Sequence, residues 1–121
     1  MNEENTLEEE IFGPILPISN VEYVEEAIKM INSRDKPLAL YVFTERENVQ
    51  EMLKNQTSSG GLVFNDTLMH LSIEQLPFGG VGASGMGVYH GKFSFDTFTH
   101  MKVCLPSEST NKHRFLLSSL F

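Results

Sequence analysis

The chain has 121 residues, 40% apolar and 21% charged, a composition that suits one folded domain and excludes a disordered chain. Its longest apolar run, residues 38–43, falls far short of the ~18–20 residues that cross a bilayer, and Met1 precedes acids instead of a basic and apolar leader. The net charge of −7 is local: residues 1–26 hold eight acids and no Lys or Arg, while the remainder nets +1 with no dense basic patch, so nucleic acid is not an expected partner.

Beyond the acidic start, Ile11-Phe12-Gly13-Pro14-Ile15-Leu16-Pro17-Ile18 reads as a short buried-strand candidate punctuated by Gly and Pro. Ser19 or Asn20 then caps an expected helix to about Asn32, with Val21, Val24, Ile28 and Ile31 at helical spacing. Glu22, Glu25 and Glu26 occupy its first turns, where the helix dipole favours anions. Residues 33–37 form a polar turn. Residues 38–43 are apolar without alternation, as in a strand covered on both faces.

A second helix is expected next, with Thr44 and Glu47 at capping-box spacing and Val49, Met52 and Leu53 facing inward. Thr57-Ser58-Ser59-Gly60-Gly61 ends it, and residues 62–65 read as another buried strand. Strand, helix, strand, helix, strand with short turns predicts an α/β fold: a partial parallel sheet with right-handed crossover helices. From Asp66 the character changes, and residues 77–91 carry six glycines, a loop signature. Residues 100–105 are a candidate for one last strand.

Gly80-Val81-Gly82-Ala83-Ser84-Gly85 matches the dinucleotide pattern G-x-G-x-x-G letter by letter. The mechanism of that pattern needs a buried strand before it, a helix after it and an acid about 20 residues on. Here Leu76-Pro77-Phe78-Gly79 precedes it and further glycines follow, so it reads as a tight structural turn. Ser84 lacks a nucleophile elbow, because Met86 stands where that turn needs Gly. The histidines at 70, 90, 100 and 113 share no helical face and make no metal motif. Cys104, the single cysteine, reads as a buried inert thiol in a short apolar strand; it forms no internal disulfide, so a reducing compartment, the cytoplasm, is expected. Glu8-Glu9-Glu10 reads on its residues as a solvated acidic stretch, although a turn at Phe12-Gly13-Pro14 can aim Glu10 at a site.

Glu9-Glu10-Ile11-Phe12-Gly13-Pro14 and Leu76-Pro77-Phe78-Gly79-Gly80-Val81-Gly82-Ala83-Ser84-Gly85-Met86-Gly87 resemble signatures of the aldehyde dehydrogenase superfamily. Lys36-Pro37-Leu38-Ala39-Leu40-Tyr41, Thr57-Ser58-Ser59-Gly60-Gly61 and Tyr89-His90-Gly91-Lys92 are similar to its family 3, and Ser94-Phe95-Asp96-Thr97-Phe98 to the 3B branch. The resemblance divides the chain into a divergent acidic segment (1–7), a C-terminal part of the catalytic domain (8–98), an oligomerisation strand (99–106) and a tail (107–121). It implies NAD(P)-dependent oxidation of aldehydes to carboxylic acids: a cysteine thiolate attacks the carbonyl, hydride passes to nicotinamide, and a glutamate activates water.

Position by position, Glu10 matches the carboxylate that holds the nicotinamide ribose, and Phe12 the ring beside the nicotinamide. Asn65 falls at the end of a catalytic-domain strand; Leu68, Leu71, Ser72, Phe78 and His90 match positions around the aldehyde pocket. The family's cofactor domain, nucleophilic cysteine and general base lie upstream of the Glu-Glu-Ile-Phe-Gly-Pro motif, and Cys104 stands in the wrong context to substitute. The resemblance therefore implies one wall of a site, no activity in this chain alone and no tight binding of NAD or NADP by it. The alternative is a catalytically dead module that self-associates or pairs with full-length subunits through its final strand. Residues 115–121 are too short to span a membrane and carry no prenylation box, so no membrane contact is expected of the tail.

Overall fold

The computed structural model describes residues 11–105; Glu10, the acidic segment and the tail beyond 105 lie outside the described residues. The elements are α1 (Val24–Asn32), β1 (Ala39–Val42), α2 (Glu47–Gln56), β2 (Gly61–Phe64) and α3 (Gly91–Phe98), with single 3-10 turns at Met69–Ser72 and Gly82–Ser84. β1 and β2 pair in parallel, with Ala39 opposite Gly61 and Val42 opposite Phe64. The chain between them is α2, as a parallel pair requires of its crossover. The α/β class and the parallel pairing are as expected from the sequence.

Side chains alternate across a strand, so Ala39, Tyr41, Gly61 and Val63 share one face of the sheet. The other face meets the helices. Ile28 of α1 and Val49 and Leu53 of α2 form the buried core, with Val24, Ile31, Val42 and Met52 packed against it. Asn32 Nδ2 donates to the Gln56 carbonyl at 2.7 Å, tying together the carboxyl ends of the two helices.

Several expectations are corrected. Residues 11–18 form no strand and are exposed. Pro14 and Pro17 remove two ladder donors, and the Gly13 amide turns back to the Ile11 carbonyl at 2.8 Å. α1 begins at Val24 with Tyr23 as its cap, not at Ser19 or Asn20. Its start is set by Glu26, whose carboxylate accepts the Glu22 amide at 3.0 Å and so satisfies backbone just ahead of the first turn. α2 begins at Glu47 behind Arg46. Thr44 stands two residues ahead of that cap, and its Oγ1 accepts the Arg46 amide at 3.2 Å instead of an amide of the first turn, while Asn65 at the end of β2 holds its peptide. Residues 99–105 carry no strand in the single chain, and Cys104 is exposed. A thiol is buried only when its strand has neighbours, and none of the described residues pairs with this segment.

Candidate functional site

The site grows from the carboxyl end of β2. Asn65 takes a left-handed φ of 57°, a conformation that Asn adopts more readily than most residues. Its side-chain oxygen accepts the Thr44 amide at 2.8 Å, and its amide group donates to the Thr44 carbonyl at 3.0 Å. This two-point clamp joins the end of β2 to the turn after β1. The chain leaves through Leu68, also left-handed, into the 3-10 turn Met69–Ser72, where the Leu71 amide donates to the Leu68 carbonyl at 2.9 Å. Ser72 Oγ donates to the Met69 carbonyl at 2.7 Å.

Beyond this turn, Phe78 and Tyr89 form an antiparallel bridge, exchanging both amide–carbonyl bonds at 3.1 and 2.9 Å. The loop they close is packed backbone on backbone. A Cβ on Gly79 would strike the Gly87 carbonyl, and one on Gly60 would meet the Gly79 carbonyl and stand 2.6 Å from that of Leu38. Only glycine fits there. Inside the loop, Ser84 Oγ accepts the Val81 amide at 2.9 Å and donates to the Val81 carbonyl at 3.1 Å. The G-x-G-x-x-G segment is thus a self-bonded 3-10 turn with no strand before it, and the Ser84 hydroxyl is committed to that turn.

His90 precedes α3 with φ 99°, a strained value for a residue with a side chain. Ser94 Oγ accepts its amide at 3.0 Å. Its Nδ1 lies 3.0 Å from the Leu76 carbonyl, which can only accept, so Nδ1 carries a proton and donates it there. Phe78 and His90 stack with ring centroids 6.3 Å apart at 29°.

The structure therefore brings Phe78 and His90 into contact and puts Leu68, Leu71 and Ser72 on one turn. The two groups meet through His70, whose ring lies 5.6 Å from that of Phe78 and 5.8 Å from Tyr41. His70 is not among the pocket positions that the resemblance implies, and no local pattern marks it. Phe12 joins none of these: its ring is 95% exposed. No group of three His, Cys, Asp or Glu among the described residues can hold a metal.

Against known proteins, the model for "Aldehyde dehydrogenase family" matches residues 1–104. The chain belongs to the aldehyde dehydrogenase family. It is 57% identical over 113 residues to rat aldehyde dehydrogenase family 3 member A2, covering 90% of this chain and 23% of that protein. It is 61% identical over 102 residues to human aldehyde dehydrogenase family 3 member B1, covering 84% and 22%. These identities put it in family 3. Mouse "aldehyde dehydrogenase, dimeric NADP-preferring" is 52% identical over 90% of this chain and 25% of its own. The substrate-bound structure of Staphylococcus aureus AldH superposes with TM-score 0.75 at 56% identity, covering 84% of this chain and 23% of that one. The chain thus spans about a quarter of the length of the dehydrogenases it matches.

Proposed function

We propose that these 121 residues supply one wall of the aldehyde pocket in an NAD(P)-dependent family 3 dehydrogenase that oxidises aldehydes to carboxylic acids. The observation that carries this is the packing of the Phe78–His90 stack and the 68–72 turn on one another through the His70 ring, in the segment that follows parallel strand β2. Leu68, Leu71 and Phe78 give the wall its apolar surface and keep water from the carbonyl; Ser72 and His90 supply its polar groups. His90 is oriented by the bond from its Nδ1 to the Leu76 carbonyl, which leaves Nε2 for a ligand.

Glu10 and Phe12 are assigned to the nicotinamide nucleotide by resemblance. NAD or NADP, when bound in family enzymes, accepts the hydride of the aldehyde. The nucleophilic thiolate and the base that activates water come, on this reading, from sequence other than these 121 residues. On this reading Cys104 is not the nucleophile, because its sequence context does not match that of the family's catalytic cysteine. A reducing cytoplasmic setting suits the single cysteine, and no helix among the described residues is long and apolar enough to cross a membrane.

The test has two arms. The 121-residue chain incubated with a long-chain or aromatic aldehyde and NAD or NADP is expected to form no NADH or NADPH. The same residues, substituted for the matching quarter of the Staphylococcus aureus enzyme, are expected to support turnover that Phe78→Ala weakens through KM. Turnover by the chain alone that Cys104→Ser abolishes would overturn the reading.

A second reading, a module that pairs with another subunit, is favoured by Met101, Val103 and Leu105. These stand at every second position of a segment without assigned helix or strand and are 89%, 90% and 87% exposed. The printed name of the mouse relative, dimeric, points the same way. Light scattering after size exclusion, with and without a full-length family 3 subunit, decides it: a chain that stays monomeric in both rejects the pairing.

A further inference from the structure

We propose that His70 is a positioning residue of the aldehyde pocket, setting where the Phe78 ring stands and, through it, His90. The inference rests on the pocket reading above and deepens it, because the fit to long or aromatic aldehydes then depends on a side chain behind the wall.

The imidazole lies on the sheet face shared by Ala39, Tyr41 and Gly61. It lies over Gly61, where a Cβ would stand at ordinary contact distance, 3.5 Å from His70 Cδ2 and Nε2. On one side the ring meets Tyr41 edge to face at 67°, and on the other it meets Phe78 at 52°. Both ring nitrogens are shielded from solvent, and neither has a hydrogen-bond partner among the described residues. Packing, not hydrogen bonding, therefore holds this ring.

That distinction matters for Phe78. Its backbone is fixed at both the amide and the carbonyl by Tyr89, whereas its ring has no polar group to bond and takes its χ angles from packing. The neighbours are His70, Tyr89 and His90. His90 is itself tethered through Nδ1 to Leu76 and so cannot follow a wandering Phe78. Tyr41 is anchored in β1. A row of rings thus runs from the sheet to the wall, and His70 is its one link between the two.

The kinetic test uses the dehydrogenase that carries these residues in place of the matching quarter of the Staphylococcus aureus enzyme. His70→Ala is expected to raise KM for a long-chain or aromatic aldehyde about three- to tenfold, the range an aromatic pair commands, with kcat within about twofold. KM for acetaldehyde, too small to reach far along the wall, is expected to stay put. His70→Phe keeps the ring and discards the unpartnered nitrogens, so it is expected to restore KM and to raise the melting temperature. Equal losses for both aldehydes, a fall in kcat alone, or no rescue by Phe would overturn the proposal.

An activity-free measurement separates this inference from the pocket reading. In the 121-residue chain, the His90 ring-proton resonance is expected to shift in His70→Ala, as Phe78 leaves its stacking position, and to return in His70→Phe. An unmoved His90 resonance would overturn the positioning role whether or not the enzyme turns over.

Discussion

On one face of the β1–β2 sheet, α1 and α2 bury Ile28, Val49 and Leu53; on the other, residues 66–91 lie down with nothing longer than a 3-10 turn. The helical face is held by apolar side chains at helical spacing, each contributing through the area it removes from water. The loop face is held by backbone pressed on backbone at Gly60, Gly79 and Gly80, and by a row of aromatic and imidazole rings. Side-chain packing tolerates a methyl more or less; backbone contact does not. The face that carries the candidate site is therefore the brittle one.

The largest effect is expected where a methyl is added to that brittle face. Gly79→Ala sets a Cβ against the Gly87 carbonyl and Gly80→Ala one against the Ser84 carbonyl, neither of which can step aside. Each is expected to cost about 4 kcal/mol or more in urea unfolding. Gly13→Ala, whose Cβ would meet only an Ile11 side-chain carbon at 3.8 Å, is expected to change stability by less than about 0.5 kcal/mol. If the two faces are as distinct as they look, Gly79→Ala will abolish the Phe78–Tyr89 proton contacts by NMR while far-ultraviolet helix signal persists.

On the helical face, Leu53→Ala is expected to cost about 3 kcal/mol, from lost transfer energy and an unfilled cavity. It should lower the denaturant midpoint and leave the His90 resonance in place. Loss of the loop signals at the same denaturant concentration as the helical signal would show that the two faces melt as one unit.

Asn65→Ala removes the clamp on Thr44 and strains a left-handed backbone, and about 2 kcal/mol is expected from the two lost bonds and the φ of 57°. Asn65→Gly removes the clamp alone, so it should fall between Asn65→Ala and the parent. The order Ala, Gly, parent in melting temperature is the check.

The smallest effect lies on the outer surface of α2. The Lys54 ammonium donates to Glu51 at 3.1 Å, and that hydrogen bond and charge hold the Glu51 carboxyl below its ordinary value. A depressed carboxylate contributes its stability above the ordinary carboxylate range and loses it as pH falls through the lowered value. Both groups are well exposed, so the contribution is slight and screened by salt. Lys54→Met is expected to move the Glu51 titration upward, read by carboxyl NMR, with the melting temperature at neutral pH scarcely changed.

How much of this was legible beforehand differs between the faces for the same reason that their energetics differ. Periodicity locates the α2 residues that point inward, Val49, Met52 and Leu53, because helix burial follows a repeat that a one-dimensional string displays. It misplaced the start of α1, because the Glu26 side chain reaching back to Glu22 depends on a rotamer and not on a spacing. The spacing of Thr44 to Glu47 suggests a helix cap, whereas the helix starts only at Glu47 and Thr44 Oγ1 takes the Arg46 amide ahead of it. The G-x-G-x-x-G run could be dismissed as a phosphate loop from its flanks, and Ser84 bonded to Val81 shows what the run does instead.

The sequence by itself determined the α/β class, the parallel pairing of β1 with β2, the turn at the glycine run and the family, since each rests on local pattern or on motifs in fixed order. The tertiary structure alone decided that residues 11–18 form no strand and that Cys104 is exposed, because both depend on which neighbours a segment has. It also decided that Phe78 meets His90 and that His70 stands behind them. Contacts between residues separated by a loop are set by how the glycine backbones close on one another, a three-dimensional fit with no periodicity to read.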